Sequence, residues 1–240
     1  PPCGLPLGGA KPCVTGAPCS ERRVYGVPSD GGGAVFTQLG AFADRFYVAT
    51  AEALYALRAG DAQLTRLTTT PVPVQAMAIG GPGTIFTGGE VPGEAGVYTR
   101  YLCSGDGCTS TSARAPHVEN LAHAAAASTS AAWFLGRGLR FYDAADGTTR
   151  EIATPTSSAA LAVRGAHAVV AYGRQGAANN GLVLKSAVDF TSIDLASLPP
   201  VAPRRVAVSC VDAYVTMASG AEPSALVAVP LDPTAPRQAL

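Results

Sequence analysis

Residues 46–67, which read FYVATAEALYALRAGDAQLTRL, decide the fold of this chain. They hold three short apolar runs at 46–49, 54–57 and 64–67, separated by polar links. Each run is too short for a helix and is rich in the aromatic and branched residues that favour strands. The pattern predicts three antiparallel strands joined by tight turns. Because so small a sheet cannot bury its own faces, we expect other sheets to pack on it.

The same pattern recurs along the chain about every 43 residues. In each unit an apolar run contains one central residue, and a second apolar run precedes it. The central residues are Tyr55, Tyr98, Phe141, Val183 and Val227. A repeat of roughly 40 to 50 residues with four short strands is typical of a β-propeller blade. The sequence therefore predicts an all-β fold, a β-propeller of about five four-stranded blades. A β-sandwich is the alternative, since it also has regularly spaced short strands.

Several predicted strands are apolar at consecutive positions, as in Val169-Val170-Ala171 and Leu182-Val183-Leu184. A strand that is covered on both faces loses the alternation of polar and apolar residues. We therefore expect each sheet to pack between two neighbours, as the blades of a propeller do.

The ends of the chain differ from the repeats. Residues 1–20 are rich in Pro, Gly and Cys and are interpreted as a lead-in, which leaves 21–240 as one propeller domain. Residues 22–27 form a strand without a unit around it, which we interpret as completing the last blade. Residues 237–240 are the expected final strand. The alanines of 121–132 favour a helix, but the position of this segment in the repeat favours an inner strand.

The chain has six cysteines, an even number. Cys103 and Cys108 flank Ser-Gly-Asp-Gly, a link short enough for a disulfide across a hairpin. The alternative is half of a zinc site, but a second close pair to complete it is missing. We suggest Cys19–Cys210, which would join the two ends of a ring, and Cys3–Cys13, with other pairings left open. Disulfides indicate an oxidising, extracytoplasmic compartment.

Charge and hydropathy narrow the classes of partner. The formal net charge is zero, which argues against binding of nucleic acid or of an anionic membrane. No apolar run approaches the roughly 20 residues of a transmembrane helix. The chain opens on Pro-Pro-Cys, without an initiator Met or a signal peptide, and we interpret it as a mature or trimmed product. We expect a monomer that is secreted, periplasmic or anchored to the cell surface through a missing N-terminal signal.

Two segments carry a resemblance to a known family. Residues 54–57 (LYAL), followed by Gly60-Asp61, and residues 141–148 (FYDAADGT) resemble the strand–turn–strand cores of bacterial PQQ-like and related propeller repeats. The Cys103–Cys108 hairpin is similar to one in secreted propeller lipoproteins of the bacterial envelope. The resemblance implies a propeller scaffold. The sequence departs from the quinone-binding members, which carry repeated tryptophans, because Trp133 is the only tryptophan here. This difference argues against a quinone cofactor.

The sequence contains none of the common catalytic or nucleotide-binding motifs, such as G-x-S-x-G, H-E-x-x-H, a Walker loop or a dinucleotide fingerprint. We therefore predict no catalytic, cofactor-binding or metal-ligating residue. His117 and His123 flank a predicted inner strand, and His167 is expected in a turn. Aspartates fall mainly in predicted turns, where they bind backbone amides: Asp61, Asp106 and Asp146.

Two functions follow from these observations. The first is a non-catalytic extracytoplasmic scaffold that binds a protein or a polysaccharide, with the long links at 88–93 and 173–181 as contact loops. The alternative is a hydrolase or lyase that acts on glycans and needs converging carboxylates. Its candidate residues are Glu90, Glu94, Asp143 and Asp146. The predicted inner strands carry mostly Ala, Val and Thr, which favours the binding scaffold.

Overall fold

The computed structural model describes residues 36–58, 61, 63–90, 93–105, 107–116, 121–152, 158–173, 180–219 and 222–232. Within these ranges the chain forms 19 strands, no helix and five antiparallel sheets. In each sheet the strands pair in the order in which they follow one another along the chain. The proposed lead-in 1–20 and the predicted strands 22–27 and 237–240 lie outside the described residues, so the domain boundary stays a prediction.

The first two sheets are four-stranded. The first sheet consists of β1 (Gln38–Phe42), β2 (Arg45–Ala49), β3 (Ala53–Arg58) and β4 (Thr65–Thr69). The second sheet consists of β5 (Val74–Gly81), β6 (Thr84–Glu90), β7 (Gly96–Ser104) and β8 (Gly107–Ala115). The three runs of 46–67 therefore form β2, β3 and β4, each within about two residues of the predicted position.

The next two sheets also have four strands, and the last has three in the part of the chain that is described. The third sheet consists of β9 (His123–Ala126), β10 (Ala131–Leu135), β11 (Leu139–Asp143) and β12 (Thr148–Ile152). The fourth consists of β13 (Ser158–Arg164), β14 (His167–Tyr172), β15 (Gly181–Ser186) and β16 (Ser192–Ser197). The fifth consists of β17 (Pro203–Val208), β18 (Asp212–Ser219) and β19 (Glu222–Pro230).

The repeat predicted from sequence matches these sheets. Every central residue of the repeat lies in the third strand of its sheet, and every preceding apolar run lies in the second strand. Residues 121–132 form β9, a turn and the start of β10, so the strand prediction is confirmed and the helix alternative is wrong. His167 is the first residue of β14 and directly follows the turn at 165–166, so the expectation that it lies in a turn is wrong.

Successive sheets pack through their first strands, in the order β1, β5, β9, β13 and β17. Gln38 Nε2 donates to the backbone oxygen of Gln75 at 2.7 Å, near the starts of β1 and β5. A Cβ placed on Gly80 would lie 2.7 Å from the backbone oxygen of Ser128, near the ends of β5 and β9. Neighbouring first strands therefore run in the same direction. We call the end where they begin the upper end and the opposite end the lower end.

The core lies between the sheets. Phe134 faces the second sheet, where its ring centroid is 5.0 Å from that of Tyr98. Its neighbour Trp133 faces the fourth sheet and packs in the cluster that contains Val170 and Val183. Adjacent residues of one strand are thus buried in different interfaces, which explains the loss of alternation. The prediction of an all-β propeller is confirmed. The sandwich alternative is wrong, because each sheet packs on the next in a series of five.

The outer face of the first sheet is apolar, and it is buried around Val48 and Tyr55 but exposed towards its rim. Leu39 is 71% exposed and Phe46 is 45% exposed. Together with four other apolar side chains they line an open groove of about 360 Å³. The last sheet likewise exposes Leu226 and Tyr214. The first and fifth sheets therefore carry exposed apolar side chains, as do the second sheet at Leu102 and the fourth at Ile193.

Replacing Phe134 by Ala should destabilise the protein by about 3–5 kcal/mol, because the ring is fully buried between two sheets and its loss leaves a cavity. The matched change Phe46→Ala should cost less than about 1 kcal/mol, since almost half of that side chain is in contact with solvent. Urea denaturation followed by circular dichroism measures both free energies of unfolding. Equal losses for the two variants would contradict the assignment of Phe134 to the core.

Candidate functional site

The glycine-rich segment 88–93 differs from its predicted role as a contact loop. Gly88 and Gly89 lie inside β6 and are buried. A Cβ on Gly88 would lie 2.7 Å from Leu121 Cδ2 and 2.8 Å from Phe134 Cδ1. A Cβ on Gly89 would lie 2.0 Å from the backbone oxygen of Pro73. Gly88 permits close packing of the second and third sheets, and Gly89 permits the close approach of the segment that precedes β5. The link to β7 starts only after Glu90.

The second predicted contact loop, 173–181, is described only at its two ends. Asn180 is buried, and its Nδ2 donates to the backbone oxygens of Pro199 at 2.8 Å and Val201 at 2.9 Å. This amide fixes the base of the link to the connection between β16 and β17. The second and third strands of these two sheets meet their predicted loops at the upper end, so the described ends of both loops lie there.

The carboxylates proposed for a glycan-cleaving enzyme lie apart. Glu90 ends β6 at the upper end, and Glu94 follows it in the turn to β7. Asp143 ends β11 at the lower end, and Asp146 lies in the turn that follows. Asp146 Oδ1 accepts hydrogen bonds from the Thr148 N–H at 2.9 Å and the Thr148 hydroxyl at 2.6 Å. These bonds hold the pKa of Asp146 below its ordinary value and identify it as a turn residue.

Metal-ligating side chains do not cluster within the described ranges. No group of three or more His, Cys, Asp and Glu residues is found there. His123 lies in β9 and His167 in β14, whereas His117 and Asp106 lie outside the described residues. The same ranges contain no helix that is long and apolar enough to cross a membrane.

Cys103 and Cys108 form a disulfide, so this part of the cysteine prediction is confirmed and the zinc alternative is wrong. The two residues are cross-strand partners in β7 and β8. Cys210, between β17 and β18, is also disulfide-bonded. Its partner is not among the described residues, because Cys3, Cys13 and Cys19 all lie in 1–35. The pairings Cys19–Cys210 and Cys3–Cys13 therefore stay predictions.

A cleft opens at the lower end, between the first and second sheets. It consists of two adjoining cavities of about 460 Å³ and 360 Å³, and both are lined by Pro82, Gly83, Cys103 and Ser104. We call this space the lower cleft, formed by residues 42–45, 47, 58, 82–83, 102–105 and 107–109. Its walls are the turn between β1 and β2 and the hairpin that carries the disulfide.

The floor of the lower cleft is held by a short chain of contacts between sheets. The N–H of Gly83 donates to the hydroxyl of Tyr47 at 3.0 Å, and the N–H of Cys103 donates to the backbone oxygen of Gly83 at 2.8 Å. Gly83 has a φ of 67°, and a Cβ there would lie 2.2 Å from the oxygen of Cys103. Only glycine fits this position. The turn from β5 to β6 is therefore fixed against both walls.

The rim of the lower cleft carries the charges. Arg45 in β2 and Arg58 in β3 are direct cross-strand partners. Asp44 pairs with Arg58, with 3.0 Å between the carboxylate Oδ2 and Nε. Phe42, at the end of β1, lines the same space and is 40% exposed. The cleft thus combines guanidinium groups, an aromatic ring and a fixed floor. Sequence analysis did not single out any of these rim residues, because single Arg and Phe residues near turns are common.

Sequence analysis also missed a buried arginine at the upper end. The Arg140 side chain is 3% exposed, and its Nη2 donates at 3.2 Å to both Glu151 Oε2 and the backbone oxygen of Pro116. Its guanidinium lies 5.7 Å from the ring centroid of Tyr98. Burial raises the pKa of Tyr98, and the charge of Arg140 partly offsets this. This group joins the second and third sheets. The signal in the sequence that could have identified Arg140 is a charged residue within the apolar run LRFY.

Lys185 is a second buried charge, and it lies on β15. Its Nζ donates to the hydroxyl of Ser192 on β16, and burial lowers the pKa of the amine, with Asp194 acting in the opposite direction. The signal in the sequence is again a charge that ends an apolar run, here LVLK. No cavity described in the structure adjoins the pair, so we do not place it in the candidate site.

No family model matches the sequence, and no curated protein does. Among solved structures, the chain is similar to the computationally designed Ika8 protein, with a TM-score of 0.60 and 10% identity over 80% of this chain and 57% of that one. It is similar to the virginiamycin B lyase of Staphylococcus aureus, with a TM-score of 0.58 and 13% identity over 84% of this chain and 71% of that one.

A third similar structure is the extracellular domain of the putative one component system BT4673 from B. thetaiotaomicron. Its TM-score is 0.56 at 13% identity, over 85% of this chain and 27% of that one. The structural neighbours are propeller-like proteins, which agrees with the fold described above. At these identities the likeness shows the fold alone. The more specific resemblance to PQQ-like repeats and to envelope lipoproteins stays a prediction.

Gly88→Ala should destabilise the protein by about 1–3 kcal/mol, because the added methyl group overlaps Leu121 and Phe134. The matched control is Gly107→Ala, where a Cβ would meet no atom within 4 Å. We expect the control to change stability by less than about 0.5 kcal/mol. Thermal and urea unfolding measure the difference. A neutral Gly88→Ala would show that the sheets are packed less closely than described.

Replacing Cys103 and Cys108 together by Ser should lower the free energy of unfolding by about 2 kcal/mol, as expected for a disulfide that closes a very short loop. The bond can be checked on unreduced wild-type protein, because trypsin releases residues 101–114 as one peptide that holds both cysteines. Its mass should be lower by two hydrogens than that of the reduced peptide. A peptide that is alkylated without prior reduction would contradict the disulfide.

Proposed function

We propose that this protein is a non-catalytic, extracytoplasmic binding scaffold whose ligand is a protein or a polysaccharide. The observation that carries the proposal is the lower cleft, an open cavity with a fixed floor and a disulfide-bonded wall. Binding sites are usually largely preformed concave surfaces, and a rigid wall lowers the cost of ordering the site when a ligand binds. The scaffold positions this site through Tyr47, Gly83 and Cys103.

The proposed location rests on cysteine chemistry. The disulfide between Cys103 and Cys108 and the bonded state of Cys210 are typical of proteins in oxidising compartments. The extracellular domain of BT4673, which shares the fold, is consistent with this location. A secreted, periplasmic or surface-anchored protein would meet polysaccharides and the domains of other surface proteins.

The arrangement of the carboxylates supports a catalytic function less well than a binding function. The carboxylates considered for glycan cleavage lie at opposite ends of the sheets, whereas hydrolysis needs two of them roughly 5–10 Å apart across one bond. Among the described residues that line the lower cleft, Asp44 is the one carboxylate, and it is paired with Arg58. The likeness to virginiamycin B lyase is a likeness of fold at 13% identity. We therefore propose binding without turnover.

The test uses oxidised protein in affinity electrophoresis against a panel of neutral and acidic polysaccharides, with pull-down of purified envelope proteins as a second arm. We expect retardation by at least one polysaccharide or capture of at least one protein. The Cys103→Ser, Cys108→Ser variant should bind more weakly, because its cleft wall is less rigid. Release of reducing sugars or of unsaturated products from a bound polysaccharide would overturn the non-catalytic assignment. Failure of both arms would overturn the binding function.

A further inference from the structure

The two rim arginines of the lower cleft lie directly opposite each other on neighbouring strands, and the sheet gains no stability from this pairing. Arg45 and Arg58 are direct cross-strand partners, and like charges in that position destabilise a sheet. Arg58 is compensated by Asp44 at 3.0 Å. The side chain of Arg45 has no hydrogen-bond or ion-pair partner among the described residues, and it is only partly exposed. An arginine in this state is suited to pair with an external anion.

The nearby carboxylates of Asp44 and Asp61 interact with Arg58 and leave the guanidinium of Arg45 available. Asp44 pairs with Arg58, and Asp61 Oδ2 accepts the backbone N–H of Arg58 at 3.1 Å. Asp61 borders the adjoining cavity, which Arg45 and Arg58 also line. Both carboxylates therefore already interact with Arg58 or its backbone. A ligand carboxylate could pair with Arg45 and also reach the guanidinium of Arg58, a geometry that arginine recognises well.

The aromatic ring of Phe42 narrows the class of ligand. It lies in the same cavity as Arg45 and Arg58 and presents 40% of its surface to solvent. A flat apolar ring beside two guanidinium groups matches a molecule with one apolar face and carboxylate substituents. A sugar ring that bears a carboxylate has this form. The two adjoining cavities provide an open path for several such units.

The shape of the cleft favours a polysaccharide over an extended acidic peptide. Peptides commonly add a strand to an open sheet edge, where backbone hydrogen bonds supply affinity. The lower cleft is instead formed by turns and by a disulfide-bonded hairpin, and its lining includes the polar side chains of Arg45, Arg58 and Ser104. Ser104 and Thr109 contribute hydroxyl groups of the kind that bind sugar hydroxyls.

We propose that the lower cleft binds a polysaccharide that contains uronic acid, with Arg45 and Arg58 pairing with its carboxylates and Phe42 packing against a sugar ring. The inference rests on the proposed binding function and assigns the ligand class and the residues that recognise it.

The probe is polygalacturonate, and its carboxyl-reduced form is the matched neutral ligand. Isothermal titration calorimetry at low salt should show binding of the acidic polymer and at least tenfold weaker binding of the reduced one. Arg45→Gln should weaken binding of polygalacturonate at least tenfold, and Phe42→Ala should weaken binding of both polymers. Binding should also fall as the salt concentration rises, because the contact is an ion pair near the surface.

The control variant is Arg164→Gln, since Arg164 is an exposed arginine at the lower end of the fourth sheet. It should bind polygalacturonate as the wild type does. Arg45→Gln should keep the thermal midpoint of the wild type or raise it, because it removes a like-charge pair. A loss of binding in this variant therefore cannot be attributed to unfolding if its midpoint is unchanged. Equal losses in Arg45→Gln and Arg164→Gln would show non-specific attraction and overturn the proposal.

Two further outcomes separate this inference from the broader function. Binding of poly-L-glutamate as tightly as polygalacturonate would overturn the polysaccharide assignment and favour an acidic protein segment. Binding of a neutral polysaccharide, or of a protein, that does not depend on Arg45 would overturn the inference and leave the binding scaffold standing. No binding of polygalacturonate would overturn the inference directly.

Discussion

Close packing between the faces of neighbouring sheets is the constraint on which this structure depends. Each sheet has only three or four described strands, so it is stable only when its neighbours cover it. The contact between Phe134 and Tyr98 shows what this requires, because it forms only where Gly88 leaves room for the ring. The same constraint favours small residues in strands such as β5 and β9. The lower cleft is formed by turns and is fixed by contacts that cross from sheet to sheet.

The buried charges follow from the same packing. Arg140 and Lys185 lie in strands whose faces are covered, and each must find hydrogen-bond partners there. Arg140 uses Glu151 and the backbone of Pro116, whereas Lys185 uses Ser192. These groups hold neighbouring elements together at a cost in desolvation. Arg45, by contrast, lies near the solvent at the lower end and keeps its charge available.

Most of the fold was predictable from the sequence, because hydrophobic period and spacing are local properties of the chain. The residues Tyr55, Tyr98 and Phe141 mark third strands correctly, and the Cys103–Cys108 spacing predicts a hairpin disulfide. Packing between sheets was not predictable in the same way. Gly88 and Gly89 have the composition of a loop but lie in a strand, since only the position of Leu121, Phe134 and Pro73 explains them. The candidate site was missed for a similar reason: its residues come from three separate turns and from the strands beside them, and only the fold brings them together.

The serial arrangement of the sheets has a consequence for how the protein opens. When each unit contacts only its neighbours, stability is approximately a sum of unit terms and interface terms along one dimension. The second and third sheets meet in a cluster that contains Tyr98 and Phe134, and the first and second sheets meet in a separate cluster that contains Tyr47 and Ile85. Each interface therefore contributes its own term to the cost of opening. The lower cleft lies between the first and second sheets, so a ligand bound there would raise the cost of separating these two sheets and would leave the other interfaces unchanged.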